Sequence, residues 1–404
     1  MLLLGTLALG GCVVGYGPQG YGGPYPGRFG AAGGPAGQRV ALLAPLSGPR
    51  ADIGQALQRG AQLALDTPNA PPLDVKDTGG TPDGAAAAAR AAIAEGAGLI
   101  LGPLTSAETA AVAPIARAAN VAMLAFTNDP AQAQPGVWTL GITPSQQVRR
   151  LVAASQAQNK AEFAGLLPDN SFGHAMGQAL VQATANSGGS PRLRYYTTGM
   201  PAINAATRDI SGYAERRGPI DARIRAARAE GTPERRHEAQ ELAKSGVPPP
   251  PFNVLLLADT GEALAEIASL LPYYDVDRSA VQILGPALWA SSGSAAGQFP
   301  GAWYAAPDPA ARANFEQAYS AKFGAPPSPL ADLAYDAASI ARALGGRPYS
   351  VGALTQPNGF VGADGWFALL PDGQVRRALA VYAIERGGPQ MVEPAPQSGN
   401  VPGV

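Results

Sequence analysis

The fold is decided by the stretch Val40-Ala41-Leu42-Leu43-Ala44-Pro45-Leu46-Ser47-Gly48-Pro49 and by the residues that follow it. A short apolar run that stops at Pro, Ser and Gly is typical of a buried strand ending in a turn. Residues 53–66 then carry apolar side chains at helical spacing. The stretch therefore predicts a strand followed by a helix, which is the repeating unit of α/β proteins.

The same alternation continues along the chain in two series. Strand patterns occupy 73–76, 99–101, 121–125, 164–167, 193–196, 254–257 and 281–284. Helix patterns occupy 82–95, 106–119, 144–158, 173–187 and 262–271. Such alternation gives right-handed crossovers and parallel sheets. We predict an α/β fold of two doubly wound, Rossmann-like lobes, in which ligands bind at the carboxyl ends of the strands.

Length and composition exclude several classes of function. The chain has 404 residues, enough for two domains, and 29 basic against 30 acidic residues, so no strong field attracts nucleic acid. His174, His237 and Cys12 are its only His and Cys residues, which excludes an internal disulfide and disfavours a zinc site. Carboxylate sites for Mg²⁺ or Ca²⁺ stay open, and we predict neither a cofactor nor a metal.

The apolar segment 1–12 ends in Leu9-Gly10-Gly11-Cys12. This resembles a bacterial lipobox, in which the preceding segment is removed and the cysteine is acylated. The alternative is a chance Cys in an apolar run. No Lys or Arg precedes the run, whereas signal peptides have a positive start, so we expect the true start upstream. Val13 rather than Asp follows Cys12, which favours lipid anchoring at the outer membrane.

Residues 13–38 contain ten Gly and repeated Tyr and Pro, without apolar periodicity. We expect a disordered tether there and a disordered tail at 389–404. The stretch Gly15-Tyr16-Gly17-Pro18-Gln19-Gly20 matches a dinucleotide-binding fingerprint, but no strand precedes it and no helix follows. Beyond the signal segment, no run reaches the roughly 18 apolar residues of a transmembrane helix.

Three loop motifs carry a family resemblance. They are Ala44-Pro45-Leu46-Ser47-Gly48-Pro49, Gly102-Pro103-Leu104-Thr105-Ser106 and Ala125-Phe126-Thr127-Asn128. Residues 40–387 resemble type I periplasmic binding proteins of the leucine-binding kind. The resemblance implies two lobes joined by three crossovers, with lobe 1 at 39–142 plus 306–360 and lobe 2 at 143–305 plus 361–388. A ligand would lie in the cleft between them.

The resemblance also implies cleft residues. In amino-acid binders of this family, hydroxyls and backbone N–H groups at loop-to-helix starts hold the ligand carboxylate, and Ser106 and Thr127 match those positions. Ser47, Phe172 and Thr260 are further cleft candidates. The alternative is that Ser106 only caps its helix and Thr127 only shapes a turn.

The ammonium side of such a site departs from the family pattern. Amino-acid binders have Gly-Pro-Glu after a strand of lobe 2, where this chain has Gly285-Pro286-Ala287. Phe172 lacks the hydroxyl usual near its position, and the expected Tyr is replaced around 259–261. An unpaired buried ammonium is costly. The sequence therefore predicts weak or no binding of ordinary α-amino acids.

A charged insertion occupies 208–246. Between Arg208 and Lys244 lie nine Lys or Arg and seven Asp or Glu, which predicts one or two solvated helices broken near Gly231-Thr232-Pro233. The segment is either a solvated decoration or a docking surface for a protein partner. In the second case the candidate docking residues are Arg216, Arg217, Arg225, Arg235 and Arg236.

Leu257-Ala258-Asp259-Thr260-Gly261-Glu262 and Leu288-Trp289 are most similar to the binding-protein-like domain of penicillin-binding-protein activators. That family implies a periplasmic lipoprotein whose partner is a peptidoglycan synthase. Its best-studied members also carry an N-terminal helical-repeat domain, where this chain has the tether. The alternative is the substrate-binding lipoprotein of a branched-chain-amino-acid-type ABC transporter, with an ABC permease as partner and a small ligand other than an α-amino acid.

An enzyme is the third class. Asn170-Ser171-Phe172-Gly173-His174 places a hydroxyl near an imidazole but lacks the first glycine of G-x-S-x-G. No P-loop, metal-ligand cluster or redox Cys pair is present in the sequence. We expect no catalytic residues, and we expect His174 on a helix surface.

Overall fold

The computed structural model describes residues 38–185, 190–290, 296–328 and 330–399. The predicted signal segment with Cys12, the tether as far as residue 37, and the end of the predicted tail from residue 400 lie outside the described residues. Within the described ranges, no helix is both long and apolar enough to cross a membrane.

Lobe 1 begins with a parallel five-stranded sheet. Its strands are β1 (Arg39–Ala44), β2 (Leu73–Asp77), β3 (Ala97–Leu101), β4 (Ala122–Ala125) and β5 (Val137–Thr139). They lie in the order β2-β1-β3-β4-β5 and alternate with the helices α1 (Ala51–Ala64), α2 (Pro82–Ala94) and α3 (Ser106–Ala118). Every residue of β3 and β4 is buried, because helices cover both faces of the sheet.

Lobe 2 contains a seven-stranded sheet. Its strands are β6 (Phe163–Pro168), β7 (Arg192–Tyr196), β8 (Val254–Leu257), β9 (Gln282–Gly285), β10 (Trp303–Ala306), β14 (Ala380–Glu385) and β15 (Gly388–Glu393). They lie in the order β15-β14-β10-β9-β8-β6-β7, with β14 and β15 antiparallel to their neighbours. The helices of this lobe are α4 (Pro144–Ala157), α5 (Ser171–Thr184), α6 (Met200–Ser211), α7 (Tyr213–Glu230), α8 (Pro233–Lys244) and α9 (Gly261–Tyr273).

The chain passes between the lobes three times. It crosses after β5, returns after β10 through α10 (Pro309–Phe323), α11 (Ala331–Leu344) and α12 (Val351–Leu354), and crosses again through a small antiparallel sheet. The strands of that sheet are β11 (Phe360–Gly362), β12 (Gly365–Leu369) and β13 (Val375–Arg377). Phe367 and Leu369 pack into the core of lobe 1, whereas Trp366 and Ala368 pack into the core of lobe 2. Opposite faces of β12 therefore connect the two cores.

The predicted tail is wrong at its start. Residues 389–393 belong to β15, which pairs antiparallel with β14, and Glu393 lies 2.8 Å from Arg150 in an ion pair. The strand carries Pro389 and is largely exposed, so its sequence lacks the alternation of a half-buried strand. An edge position tolerates this composition because one side of the strand needs no ladder partners.

The charged insertion forms the predicted helices, α7 and α8, and they are broken where expected. Gly231 is left-handed at φ +70°, and the Thr232 side chain caps α8 by accepting from the Arg235 N–H. The hairpin has a small core of its own, made by Ile224, Ala227 and Ala239 together with Ile220 and Leu242.

The predicted boundary of the insertion at residue 208 is wrong. Ile210 is 2 % exposed and packs in the main core of lobe 2, so the last turn of α6 belongs to the lobe. The inserted hairpin begins after Ser211. The boundary predicted from the sequence lies too early because Arg208 and Asp209 are polar. The apolar side chain of Ile210, which follows them, belongs to the core of lobe 2.

Candidate functional site

The loop after β1 is held by the last residue of β2. The Asp77 Oδ1 accepts hydrogen bonds from the backbone N–H groups of Leu46 at 2.8 Å, Ser47 at 3.2 Å and Gly79 at 2.8 Å. Hydrogen bonds from the Ser47 side chain and the Gly79 N–H lower the pKa of Asp77. The Ser47 hydroxyl, a cleft candidate, is therefore already engaged by a carboxylate of this chain.

Ser106 is the first residue of α3, but it is not the cap. The cap is Thr105, whose side chain accepts from the Glu108 N–H while Glu108 accepts from the Thr105 N–H. The expectation that Ser106 only caps its helix is therefore wrong. The Ser106 Oγ instead donates to Asp129 Oδ2 at 2.5 Å.

Asp129 organises the turn after β4. Its backbone N–H donates to the Thr127 hydroxyl oxygen at 3.1 Å, and its Oδ1 accepts from the Ala131 N–H at 3.0 Å. Burial alone would raise the pKa of Asp129, but the hydrogen bonds from Ser106, Ala131 and Gln132 together lower it. The carboxylate on Ser106 is thus ionised at neutral pH, and Thr127 shapes the turn as the alternative interpretation expected.

Asp259 lies in lobe 2, two residues after the end of β8. Its Oδ2 accepts from the Tyr196 hydroxyl at 2.7 Å, and its Oδ1 accepts from the Thr260 N–H at 2.8 Å. Burial and then the Asp259 carboxylate raise the pKa of Tyr196, so the phenol stays a proton donor. Thr260 is the N-cap residue of α9, but its side chain makes no capping hydrogen bond to the helix.

Phe172 lies in the first turn of α5 and packs against a cluster of buried residues that includes Leu167 and Met176. The helix is capped by Asn170, which accepts from the Gly173 N–H at 2.9 Å. His174 Nε2 lies 2.8 Å from Asp169 Oδ1, and its ring stacks on Tyr195 at 4.3 Å. The imidazole, half-exposed on the helix, is thus paired with Asp169.

Ala287 is the residue that the family resemblance predicts at the counter-ion position of amino-acid binders. Its N–H donates to the Gln147 Oε1 at 2.7 Å, so the backbone here is held by α4. The indole of Trp289 lies over Gly285, where an added Cβ would come within 2.2 Å of the ring. The Trp289 N–H donates to the Asp259 carbonyl at 2.9 Å, which joins this turn to the loop after β8.

Aspartates lie at or just after the carboxyl ends of several parallel strands, among them Asp77, Asp129, Asp169, Asp259 and Asp308. The sequence patterns point to the hydroxyls of Ser47 and Ser106 but not to the Asp77 and Asp129 carboxylates that accept hydrogen bonds from them. A usable signal was present, because Asp77, Asp129, Asp169 and Asp259 each lie within four residues of the end of a strand pattern in the sequence. A ligand carboxylate entering at Ser47 or Ser106 would meet a negative charge.

The five arginines expected on the docking surface make different kinds of contact in the structure. Arg216 donates to the carbonyls of Ser211, Pro248, Tyr274 and Asp275 at 2.6 to 3.2 Å. It therefore anchors the hairpin to the lobe, and its inclusion as a docking residue is wrong. Sequence reasoning could not find this role because three of the four carbonyls lie 32 to 59 residues away.

The other four arginines lie on the hairpin itself. Arg217 pairs with Asp221 at 2.9 Å, and Arg235 pairs with Glu230 at 2.7 Å and with Glu238 at 2.5 Å. Arg225 and Arg236 are exposed, and neither makes an ion pair with any residue that the structure describes. Of the five candidates, these two guanidinium groups are the ones without an ion pair in the part of the chain that the structure describes.

Two doubly wound lobes joined by three crossovers define a binding protein of the type I periplasmic class, whose fold serves substrate binding or regulation. The model of the periplasmic binding protein family matches residues 37–389, and the chain belongs to this family.

Solved structures similar to the chain include an ABC transporter protein and a regulator of PBP1A. One is a candidate branched-chain amino acid ABC transporter from Rhodospirillum rubrum, with a TM-score of 0.67 and 19 % identity, covering 88 % of this chain and 99 % of that one. Another is the C-domain of LpoA from Haemophilus influenzae, a regulator of PBP1A, with a TM-score of 0.60 and 17 % identity over 88 % of this chain and 99 % of that one. At these identities the likeness shows the fold alone.

Two matches cover only part of a longer protein. Full-length LpoA from Haemophilus influenzae has a TM-score of 0.61 and 18 % identity, and the match covers 89 % of this chain but 59 % of that one. An uncharacterized protein of Rickettsia prowazekii, RP748, is 25 % identical over 178 residues, which is 44 % of this chain. The match spans 48 % of that curated relative.

Proposed function

We propose that this chain is a non-enzymatic lipoprotein of the periplasm that activates a peptidoglycan synthase of the penicillin-binding-protein class. The observation that carries the proposal is the 2.5 Å contact between Ser106 Oγ and Asp129 Oδ2. In an amino-acid binder the ligand carboxylate would accept a hydrogen bond from this hydroxyl. In this chain the Asp129 carboxylate already accepts it. A ligand carboxylate that bound the same hydroxyl would lie near the Asp129 carboxylate, and the repulsion between the two negative charges makes the cleft unsuited to ordinary amino-acid transport.

The hairpin of α7 and α8 supports a role in binding a protein. Its outer surface carries Arg225 and Arg236, which have no counter-ion among the described residues. Charged groups at the rim of an interface chiefly raise the association rate and select the partner. The anchoring contacts of Arg216 hold the base of the hairpin on the lobe, so the surface is presented rigidly.

Attachment to the outer membrane through Cys12 belongs to the same proposal. A lipid on Cys12 and the Gly-rich segment that follows would let the lobes extend from the membrane toward a synthase. The fully extended span of 26 residues is about 90 Å.

A second candidate is the substrate-binding component of an ABC transporter. Asp259 and the Tyr196 hydroxyl favour it, because a carboxylate at the end of β8 could receive a cationic group. The ligand would then be a cation without a carboxylate of its own.

The two functions are distinguished by affinity purification from membranes of the native organism, using the full chain with its anchor as bait. Recovery of a peptidoglycan synthase supports activation, and recovery of an ABC permease supports transport. The double variant Arg225→Glu/Arg236→Glu should lose the synthase. The matched control is Arg90→Glu at an exposed position of α2, and this variant should retain the synthase. Equal recovery by both variants would contradict docking through the hairpin.

A further inference from the structure

The turn that joins β11 to β12 is fastened to two helices of lobe 1. The Ala363 N–H donates to the Asp336 Oδ1 on α11. The Asp364 Oδ1 accepts from the Arg312 Nη1 on α10 at 2.7 Å. Exposed Glu316 lies 3.5 Å from the Nε of the same guanidinium. One backbone hydrogen bond and one ion pair therefore hold the turn against this lobe.

Carboxylates outnumber guanidinium groups around Asp364. The Arg312 Nη1 that binds Asp364 also lies 3.1 Å from Asp332 Oδ2, so two aspartates share one nitrogen. Arg377 is already paired with Asp336 at 3.2 Å. All three aspartates are buried. The described part of the chain thus places three buried carboxylates against two cations.

The charge of Asp364 is costly where the structure places it. The residue is 3 % exposed, and a buried carboxylate needs full compensation by its partners. Burial and then the negative charges of Asp332 and Asp336 raise the pKa of Asp364 to about 7, against the attraction of Arg377 and Arg312. In water an aspartate has a pKa of about 4. A proton on Asp364 therefore favours the fastened turn, whereas ionisation favours an arrangement in which water reaches the carboxylate.

The turn lies where the chain passes from the core of lobe 1 to the core of lobe 2. Gly365, which follows Asp364, is left-handed at φ +95°, and Trp366 after it packs in the core of lobe 2. A pocket of about 510 Å³ borders the turn, and its lining includes Gly362, Ala363, Gly365 and Trp366. The turn thus has open space beside it into which it can move once its contacts to α10 and α11 are lost.

We propose that this turn is a pH-sensitive latch between the lobes, fastened while Asp364 is protonated and released when its carboxyl ionises. Release would free the third crossover from α10 and α11, and a few residues at such a connection can absorb the backbone change of a hinge. Because a single proton controls the latch, the ratio of released to fastened turn should rise roughly tenfold for each pH unit above about 7. The proposal does not depend on the proposed activator function.

Fluorine NMR of the full chain labelled with fluorotryptophan tests the latch. Trp366 directly follows Gly365, and its resonance is assigned from the Trp366→Phe variant. Between pH 6 and pH 9 we expect the Trp366 resonance to move or to lose intensity to a second resonance. Trp138 in the core of lobe 1 and Trp303 in the core of lobe 2 should not change, because the latch leaves both cores packed.

Two variants should reduce the pH response. Asp364→Asn should keep one Trp366 resonance throughout this range, because the amide carries no charge. Asp332→Asn should give a smaller change at pH 9 than the wild type, because Asp364 then shares Arg312 with no second buried aspartate. The matched control Asp52→Asn, in the exposed first turn of α1, should respond as the wild type does.

A Trp366 resonance that does not change from pH 6 to pH 9 in the wild type, or that changes equally in Asp364→Asn, would overturn the proposal. A simultaneous change of the Trp138 and Trp303 resonances would mean that the lobes unfold, and it would overturn the latch as well. Circular dichroism at pH 6 checks that the variants are folded. If Asp364→Asn is not folded, a change in Asp332→Asn equal to that of the wild type overturns the proposal instead.

Discussion

Asp336 and Arg377 form an ion pair in which both side chains are buried, with Asp336 Oδ2 lying 3.2 Å from Arg377 Nη1. Asp336 belongs to α11 of lobe 1, and Arg377 ends β13 of the small sheet between the two cores. The other Asp336 oxygen accepts from the Ala363 N–H, and Arg377 also donates to the Leu140 carbonyl at 3.2 Å. The pair therefore ties lobe 1 to two of the crossovers.

Replacing Arg377 by Met should lower the free energy of unfolding by about 3–5 kcal/mol, because it leaves the buried Asp336 carboxylate without its partner. The double variant Arg377→Met/Asp336→Asn should recover part of the loss, since no buried charge is then left unpaired. Urea denaturation at pH 8 measures both. Equal losses in the single and double variants would show that the pair does not hold the crossovers.

The acidic groups around this ion pair predict that the free energy of unfolding depends on pH. Burial raises the pKa of Asp336 to about 6, against the attraction of Arg377 and the Ala363 N–H. Burial and then the charge of Asp332 raise the pKa of Asp364 to about 7, against the attraction of Arg377 and Arg312. Both groups bind protons more tightly when folded, so their contribution to stability is complete below about pH 4 and is lost as the pH rises through about 7.

Asp364→Asn should remove part of this slope because the amide mimics the protonated carboxyl. The variant should gain stability relative to wild type at pH 8 and show a smaller gain at pH 5, as measured by urea denaturation. Asp52→Asn, on the exposed first turn of α1, should leave the slope unchanged. A slope equal to that of the wild type in Asp364→Asn would contradict the assignment.

Ser106→Ala should act on stability rather than on amino-acid binding. The variant loses a hydrogen bond to the ionised Asp129, which contributes about 1–2 kcal/mol. Leucine, isoleucine and valine should give no saturable heat with the wild type in calorimetry. Micromolar leucine binding that disappears in Ser106→Ala would mean that the hydroxyl binds a ligand, and it would contradict the conclusion that the cleft is unsuited to amino acids.

Gly285→Ala should disturb the turn that follows β9. The added Cβ would come within 2.2 Å of the Trp289 ring, which stacks on Phe299 at 5.9 Å, so the indole must move. We expect a loss of about 1–3 kcal/mol and a red shift of tryptophan emission. The control Gly297→Ala meets no atom within 4 Å and should change neither measurement.

The sequence predicted the elements better than the contacts between them. The strand at 254–257 and the helix break at Gly231-Thr232-Pro233 follow from local patterns, and the structure has both. The bond from Ser106 to Asp129 spans 23 residues, and a local pattern carries no information about it. The strand β15 could not be predicted because its local sequence lacks an apolar pattern. An exposed edge strand does not need one.

The activator proposal is tested most directly by the rate of peptidoglycan synthesis by the synthase that co-purifies with the chain. A hairpin-deleted variant, in which residues 218–243 are replaced by a short Gly/Ser linker, keeps Ile210 and Arg216 and with them the packed base. We predict that the wild type accelerates synthesis and that this variant, with nearly unchanged thermal midpoint, does not. Full acceleration by the deleted variant, or no acceleration by the wild type, would contradict the account.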